Sequence, residues 1–391
     1  MRIAINAWFL HQPGTGSGQY IHGLLQAMPP EAAEHEFLLL TPPDTPTFRV
    51  PGLRVEHRAV GPRSGSASPG PSRLWRSNLG KVLFEQIAFP RACRQWGGDL
   101  AHVPYWGSPL RPSVPTLVTI HDLIPMLLPG YRGGPLVRLY SRLVAASARR
   151  AAVVLTDSLA SKRDIEENLR LPPESVVRVY LAAGEQFSAE VGPDDELIRE
   201  IYELPQRYVL YLAGHDERKN LEGVIEAFAT VAQSDDDVTL VVGGKLPTKD
   251  KPPFYDPRPL VDALGIAETV LFPGWVDEAH APALYRGAAC AVFPSRYEGF
   301  GLPVLEALAC GAPLITSNTS SLPELVGDAG FALDPDDTDG LAGAMLACLV
   351  DEPLAAELRR RGPEQAAKFS WAQTAQETLA AYQHAASTGA G

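Results

Sequence analysis

The sequence has only four cysteines, Cys93, Cys290, Cys310 and Cys348, scattered through 391 residues without metal-ligand spacing. That scarcity excludes a disulfide scaffold and a zinc ribbon, and it reads as reduced, mostly buried thiols in a cytoplasmic protein. No apolar run approaches the roughly 18 residues that would suggest a membrane span. Met1-Arg-Ile-Ala-Ile-Asn6 goes straight into a strand-like pattern and lacks the apolar h-region of a secretory signal. Positive charge is also in short supply. A net charge of −12 argues against a general nucleic-acid binder, so no nucleic acid is expected as a partner.

The charge that is present is unevenly spread. Residues 1–190 hold 20 Lys and Arg against 15 Asp and Glu, whereas residues 191–391 hold 14 against 31. One reading is two domains with different surfaces. The sharper one is a basic first half facing an anionic acceptor or a membrane surface. The length itself suggests two or three domains, and 45% apolar with 20% charged residues is ordinary for a globular chain.

Strand and helix patterns alternate throughout, which predicts parallel sheets covered by helices on both faces. Strands are expected at Arg2–Asn6, Glu36–Thr41, Leu53–His57, Asp99–Val103, Thr116–Ile120, Ala152–Thr156 and Val176–Tyr180. A second set is expected at Tyr208–Ala213, Val238–Gly243, Thr269–Phe272, Ala289–Pro294, Pro313–Thr316 and Phe331–Leu333. Several are unbroken apolar runs, as strands buried on both faces require. Residues 61–72 are rich in Gly, Ser and Pro and read as a mobile loop. The pattern pauses around 184–205. The expected division is therefore a Rossmann-like domain at 1–190, a second at 191–370, and a helix with tail at 371–391 returning toward the first. Two such domains would face each other across a cleft, with ligands at the carboxyl ends of the strands.

One segment carries most of the chemistry. The strand Cys290-Ala-Val-Phe-Pro294 leads to Glu298, then turns through Gly299-Phe300-Gly301 into a helix with Pro303 in its first turn. Free amides of such a turn and the positive helix end suit a phosphate. Glu298 sits at the strand tip. Glu306 lies about one helical turn further on, where a carboxylate can accept hydrogen bonds from ribose hydroxyls. Either acid alone could equally be a solvated loop or helix residue; the pair framing a Gly-x-Gly helix start is what argues for a site.

The segment Glu298-Gly-Phe-Gly-Leu-Pro-Val-Leu-Glu306 resembles the Glu-x7-Glu motif of retaining glycosyltransferases with the two-domain GT-B fold, specifically glycosyltransferase family 4. Phe272-Pro-Gly-Trp-Val276 and Ala283-Leu-Tyr-Arg-Gly-Ala-Ala289 look like the family's segment before the motif. Ala309-Cys-Gly-Ala-Pro313 and Pro323-Glu-Leu-Val-Gly-Asp-Ala-Gly330 resemble the one after it.

The resemblance implies a nucleoside-diphosphate sugar as donor, a hydroxyl acceptor of a glycan, glycolipid or small molecule, and retention at the anomeric carbon. It implies catalytic roles for Glu298, His121 and Lys219. Donor contacts would come from Gly16, Gly18, Arg218, Lys219, Val276, Glu298, Gly299, Phe300, Gly301, Leu302 and Glu306. His121 stands in His-Asp-Leu after a strand, and Gly16 and Gly18 in a glycine loop after the first strand. The donor-phosphate loop Gly214-His-Asp-Glu-Arg-Lys-Asn220 departs from many relatives, which carry Arg immediately after the first Gly; here that residue is His215 and an Arg stands at 218. No Asp-x-Asp pattern fits the site, so neither a metal nor another cofactor is expected. GDP-mannose is the first donor guess and a UDP-sugar the next. A nucleotide-sugar epimerase, a sugar phosphorylase and a non-catalytic nucleotide-sugar binder remain as alternatives. Finally, Arg73–Trp96 mixes five Lys and Arg with Leu, Trp, Ile and Phe. It reads either as an amphipathic helix on an anionic bilayer, making the protein peripheral at the inner membrane face, or as a helix packed on its own domain.

Overall fold

The computed structural model describes residues 1–43, 45–50, 52–60, 77–247 and 251–388. The chain separates into two compact units. One is Met1–Leu181 together with the C-terminal stretch from Trp371, and the other is Ala182–Ser370.

The first unit is built on seven parallel strands: β1 (Arg2–Asn6), β2 (Glu36–Thr41), β3 (Arg54–Ala59), β4 (Leu100–Val103), β5 (Thr116–Thr119), β6 (Val153–Thr156) and β7 (Val176–Arg178). Their order in the sheet is β3-β2-β1-β4-β5-β6-β7. The second unit has six: β8 (Tyr208–Leu212), β9 (Thr239–Gly243), β10 (Val270–Gly274), β11 (Cys290–Phe293), β12 (Leu314–Ser317) and β13 (Gly330–Leu333), ordered β10-β9-β8-β11-β12-β13. Both are Rossmann-like sheets, the pair that defines the GT-B fold. In each, the strand order reverses once, between β1 and β4 and between β8 and β11. At those points the crossover helices diverge to opposite faces, leaving the carboxyl ends of the two strands open for a ligand. The central strands are apolar because both faces are covered. Val209, Leu210 and Tyr211 of β8 are fully buried, as are Val118 of β5 and Leu314 of β12.

The helix Trp371–Thr388 packs within the first unit. Leu379, Tyr382 and Ala385 join a core containing Ile3, Ile5 and Leu25. Tyr382 OH lies 2.8 Å from His102 Nδ1, and His102 Nε2 lies 2.9 Å from Thr119 Oγ1. Burial drives the His102 ring down to about 3, so it sits in this chain as neutral imidazole.

The first α-helix after β1 starts at Gly16, inside the glycine loop, because the Thr15 hydroxyl caps it by accepting from Gly18 N. The expected mobile loop at 61–72 lies outside the described residues, as do Arg73, Leu74, Trp75 and Arg76 of the basic segment. The remainder of that segment is helical from Asn78 to Trp96, with a wide turn at Phe84–Ala88. Phe84, Phe89 and Trp96 are buried in the first unit's core, leaving Leu79 and Ile87 as its exposed large apolar residues. Its lone acid also points inward. Tyr140 OH donates to Glu85 at 3.0 Å, Lys81 lies 3.6 Å away, and burial raises the carboxyl to about 7. Among the described residues the aromatic side chains of this segment are therefore spent on the domain itself, while Leu79 and Ile87 stay exposed. Among the described residues no helix is long and apolar enough to cross a membrane.

Candidate functional site

In the second unit, β8 and β11 lie side by side, and the loops at their carboxyl ends meet. Arg296 N donates to Arg218 O at 2.8 Å, joining the two loops through their backbones. From this frame Lys219 Nζ reaches Glu298 Oε1 at 2.6 Å, and an Arg218 guanidinium nitrogen reaches Glu298 Oε2 at 2.6 Å. Arg218 also donates to Tyr297 O at 2.9 Å, and Lys219 Nζ stands 4.6 Å from the centre of the Phe293 ring. Glu298 is 7% exposed. Burial alone would push its carboxyl up; Lys219, then Arg218, outweigh that and hold it below the ordinary carboxylate value.

The turn bearing Glu298 is pinned by hydroxyls that follow β12. Glu298 N donates to Ser320 Oγ at 2.9 Å, and Ser321 Oγ donates to the carbonyls of Glu298 at 3.1 Å and Phe300 at 2.5 Å. Ser317 Oγ donates to Ser295 O at 2.5 Å. Two non-glycine residues beside the site, Asn220 and Ser320, adopt the left-handed conformation at φ 56° and 51°. Such backbone persists only where its surroundings fix it. At Asn220 the buried side chain does so, donating to Pro335 O at 2.6 Å. Gly301 has φ +114°, and a Cβ there would stand 2.6 Å from Leu322, so geometry and packing both require glycine.

Glu306 lies within the helix Leu302–Ala309 and is half-buried. Among the described residues it makes no ion pair. Burial, with Glu278 adding to it and Lys219 opposing, raises its carboxyl to about 8. Phe300 and Val276 are buried, Leu302 is half-buried, and Gly299 is buried in the turn. His215, standing where many relatives carry Arg, is 5% exposed, and among the described residues neither ring nitrogen has a hydrogen-bond partner. Burial lowers its pKa against the pull of Asp256 and Asp216, so it brings no positive charge. Arg218 and Lys219 are the cations on Glu298.

In the first unit, His121 follows β5 and Asp157 follows β6, the neighbouring strand. His121 Nδ1 lies 2.6 Å from Asp157 Oδ2, and Asp157 is 2% exposed. Burial disfavours the imidazolium, yet Asp157, with help from Asp122, holds His121 above its usual value. Tyr20 packs edge-on against the ring at 5.0 Å. The sequence reading missed Asp157 altogether. Asp122 instead caps the next turn, accepting from Ile124 N at 2.9 Å. Gly18 has a structural reason for being glycine, since a Cβ would fall 1.9 Å from Gln12 O. Gly16 is exposed at the first turn of its helix, with open space around it.

The His121–Asp157 pair has a testable pH signature. A histidine raised by its partner contributes stability that is complete below its unfolded pKa and is lost as pH rises through the folded one. Asp157→Asn should therefore lower Tm more at pH 6 than at pH 9, and a ring NMR titration should show the His121 pKa falling. An unchanged titration would show that Asp157 does not control that imidazole.

A model for glycosyl transferases group 1 matches residues 194–365, and one for a glycosyl transferase 4-like domain matches residues 15–182. The chain is 31% identical over 293 residues to an O-antigen chain mannosyltransferase B of Escherichia coli, a match covering 74% of this chain and 76% of that protein. It is 32% identical over 265 residues to a longer serotype-specific mannosyltransferase of the same organism, covering 66% of this chain but only 32% of the relative's length. Among solved structures, sucrose-phosphate synthase from Thermosynechococcus elongatus superposes with a TM-score of 0.74 over 98% of both chains at 23% identity, a likeness of fold.

Proposed function

The chain belongs to the glycosyl transferases group 1 family, and from that premise we propose that it moves a hexose from a nucleoside-diphosphate sugar to an acceptor hydroxyl with retention at the anomeric carbon. The observation that carries this reading is Glu298 held by Lys219 and Arg218 at 2.6 Å each, from loops at the ends of two adjacent parallel strands where the strand order reverses. The second unit takes the donor and the first presents the acceptor. Lys219, Arg218 and the amides of the Gly299–Gly301 turn bear the charge that develops on the departing diphosphate, a preorganised electrostatic effect. They supply what a divalent ion would otherwise bring. Glu298 orients the sugar and favours its cationic character, Glu306 accepts from the ribose hydroxyls, and His121 faces the transferred sugar. The family resemblance assigns Gly16 and Gly18 to the donor phosphate and Val276 to the base.

Retention in glycoside hydrolases uses two carboxyl groups flanking the bond. A Glu306 on ribose lies beyond the diphosphate and cannot be the second of such a pair. The acceptor hydroxyl therefore attacks from the face that the diphosphate leaves. Its proton passes to a diphosphate oxygen as the new glycosidic bond forms and the old C–O bond breaks. Because both of the Escherichia coli relatives bear the name mannosyltransferase, GDP-mannose is the first donor to test and UDP-sugars the next. Purified protein screened against GDP-, UDP-, ADP- and TDP-sugars should show thermal stabilisation and slow donor hydrolysis with one of them. Silence with every donor rejects the reading, and an inverted product anomer rejects retention alone.

Glu306 gives two effects of opposite sign. Its carboxyl, raised from 4.5 to about 8, keeps in the folded chain a proton that the unfolded chain has lost, so stability falls as pH rises through that window. Glu306→Gln should raise Tm at pH 8 by several degrees, on the order of 1–3 kcal/mol, with the gain vanishing near pH 4. The same change should weaken nucleotide binding about tenfold, by loss of a carboxyl oxygen that accepts from the ribose hydroxyls. Calorimetry showing unaltered affinity would remove Glu306 from the ribose.

A further inference from the structure

One face of the first unit has no place in glycosyl transfer as derived above. The helix Pro135–Ala148 buries Ser141, Val144, Ala145, Ser147 and Ala148, its inner side. On its outer side Leu136 is 82% and Leu139 60% exposed, and Leu143 is half-buried. Spacings of three and four residues set these three leucines in one stripe. Arg138 and Arg142, four residues apart and both exposed, run along one flank, and exposed Arg132 stands just before the helix. None of these arginines makes an ion pair among the described residues. From residue 123 to residue 156 the sequence has five Arg and no Asp or Glu, in a chain whose net charge is −12.

We propose that this face is a docking surface for an anionic lipid bilayer, with Leu136, Leu139 and Leu143 entering the headgroup–acyl boundary and Arg132, Arg138 and Arg142 meeting lipid phosphates. A helix apolar on its inner side and again on its outer side has more apolar surface than its own domain covers. Long arginine side chains can lay their stems along such a stripe while their charged ends stay at the headgroups. Each basic residue near an anionic surface adds roughly 1 kcal/mol, and salt screens it. Charge also selects among occupants. A second copy docking through the same face would set Arg138 and Arg142 against their own counterparts with no acid on the segment to receive them, whereas a bilayer of anionic lipid supplies the missing charge. This helix sets three leucines, two of them exposed, in one outer stripe, whereas the aromatic residues of 78–96 are buried in the core.

The test needs neither donor nor acceptor, so it stands apart from the catalytic reading. Full-length protein is sedimented with phosphatidylcholine–phosphatidylglycerol vesicles and with phosphatidylcholine vesicles alone. Binding is expected to the anionic vesicles, weakening with added salt. L136S/L139S should lower the partition coefficient at least about tenfold, in line with two leucines withdrawn from the interface. R138Q/R142Q should remove most of the preference for anionic lipid. Both pairs are exposed, so Tm should hold, and Leu197→Ser, at a leucine of the second unit exposed nearly as much as Leu139, should leave binding unchanged. No binding by the wild type, or equal binding by L136S/L139S, overturns the proposal. So does a concentration-dependent dimer in sedimentation velocity that L136S/L139S abolishes, since the face would then belong to a second copy.

Discussion

Glu298→Gln should lower kcat by about 10²- to 10³-fold while tightening the binding of the free nucleoside diphosphate. The two effects have one origin. In the folded chain the carboxylate is the counter-charge of both Lys219 and Arg218, so a diphosphate arriving at those cations competes with it. Two unit charges at about 4 Å attract by several kcal/mol even at an effective dielectric near 20, although desolvation and reorganisation leave much less as a net difference. A gain of about tenfold in diphosphate affinity is the expected size. The same substitution takes the carboxylate from nearly buried Lys219 and leaves Arg218 with Asp216, 3.5 Å away, as its carboxylate, so it should destabilise the chain by a few kcal/mol. Added diphosphate should restore much of that loss, because a ligand that binds only the folded state stabilises by mass action. Calorimetry, a thermal melt with and without nucleotide, and turnover with the identified donor read the three effects separately. Diphosphate affinity falling more than tenfold would mean that Glu298 serves to hold the cations in place and does not compete with the ligand. Undiminished turnover would take Glu298 out of the reaction.

The contrast between Glu298 and Asp157 shows what the linear chain reveals. Glu298, Gly301 and Glu306 fall within nine residues, and their spacing alone places a turn, a helix start and two acids in one stretch. Lys219 was legible because it too follows an apolar strand. The sheet then supplied what the sequence could not, namely that β8 and β11 are neighbours and that 79 residues of separation end in a 2.6 Å contact. Asp157 offers no such local pattern. It is a single acid after Val-Val-Leu-Thr, and it becomes informative only because β6 lies beside β5. The hydroxyl-rich run Thr316-Ser-Asn-Thr-Ser-Ser321 was a visible signal of another kind. So many side chains able to donate to carbonyls, directly after a buried strand, mark a segment that fastens a neighbouring turn. The strands themselves were readable, each end lying within two residues of its expected place, and the central ones most directly, because buried parallel strands need unbroken apolar runs. Edge strand β3, Arg-Val-Glu-His-Arg-Ala, alternates and is largely unburied. Asn78–Trp96 went the other way. Its composition suits a bilayer or a core equally well, and the structure shows Phe84, Phe89 and Trp96 in the core and Glu85 turned inward to Tyr140, with Leu79 and Ile87 exposed.

Lys219→Ala should cost turnover as much as Glu298→Gln, about 10²- to 10³-fold in kcat, and should also weaken diphosphate binding, the opposite of the effect at Glu298. Its sharper signature is in pH. The Glu298 carboxyl is held low against its burial, with Lys219 the largest of the opposing causes. A depressed carboxyl contributes stability that is present above its unfolded pKa and lost as pH falls through the folded one. Without Lys219 that folded pKa rises, so the acid limb of both the stability curve and the rate profile should move toward neutral pH. Lys219→Arg keeps the charge but replaces a compact ammonium over the Phe293 ring with a planar fork, so it should restore the pH profile more completely than the rate. The double variant K219A/E298Q then decides whether the two groups act as one device. If the lysine works by holding the carboxylate as well as by meeting the diphosphate, removing both should cost little more than removing either, with a coupling energy of about 1–3 kcal/mol. Costs that simply add would show two independent contributions, and the ion pair between them would then be a matter of packing alone.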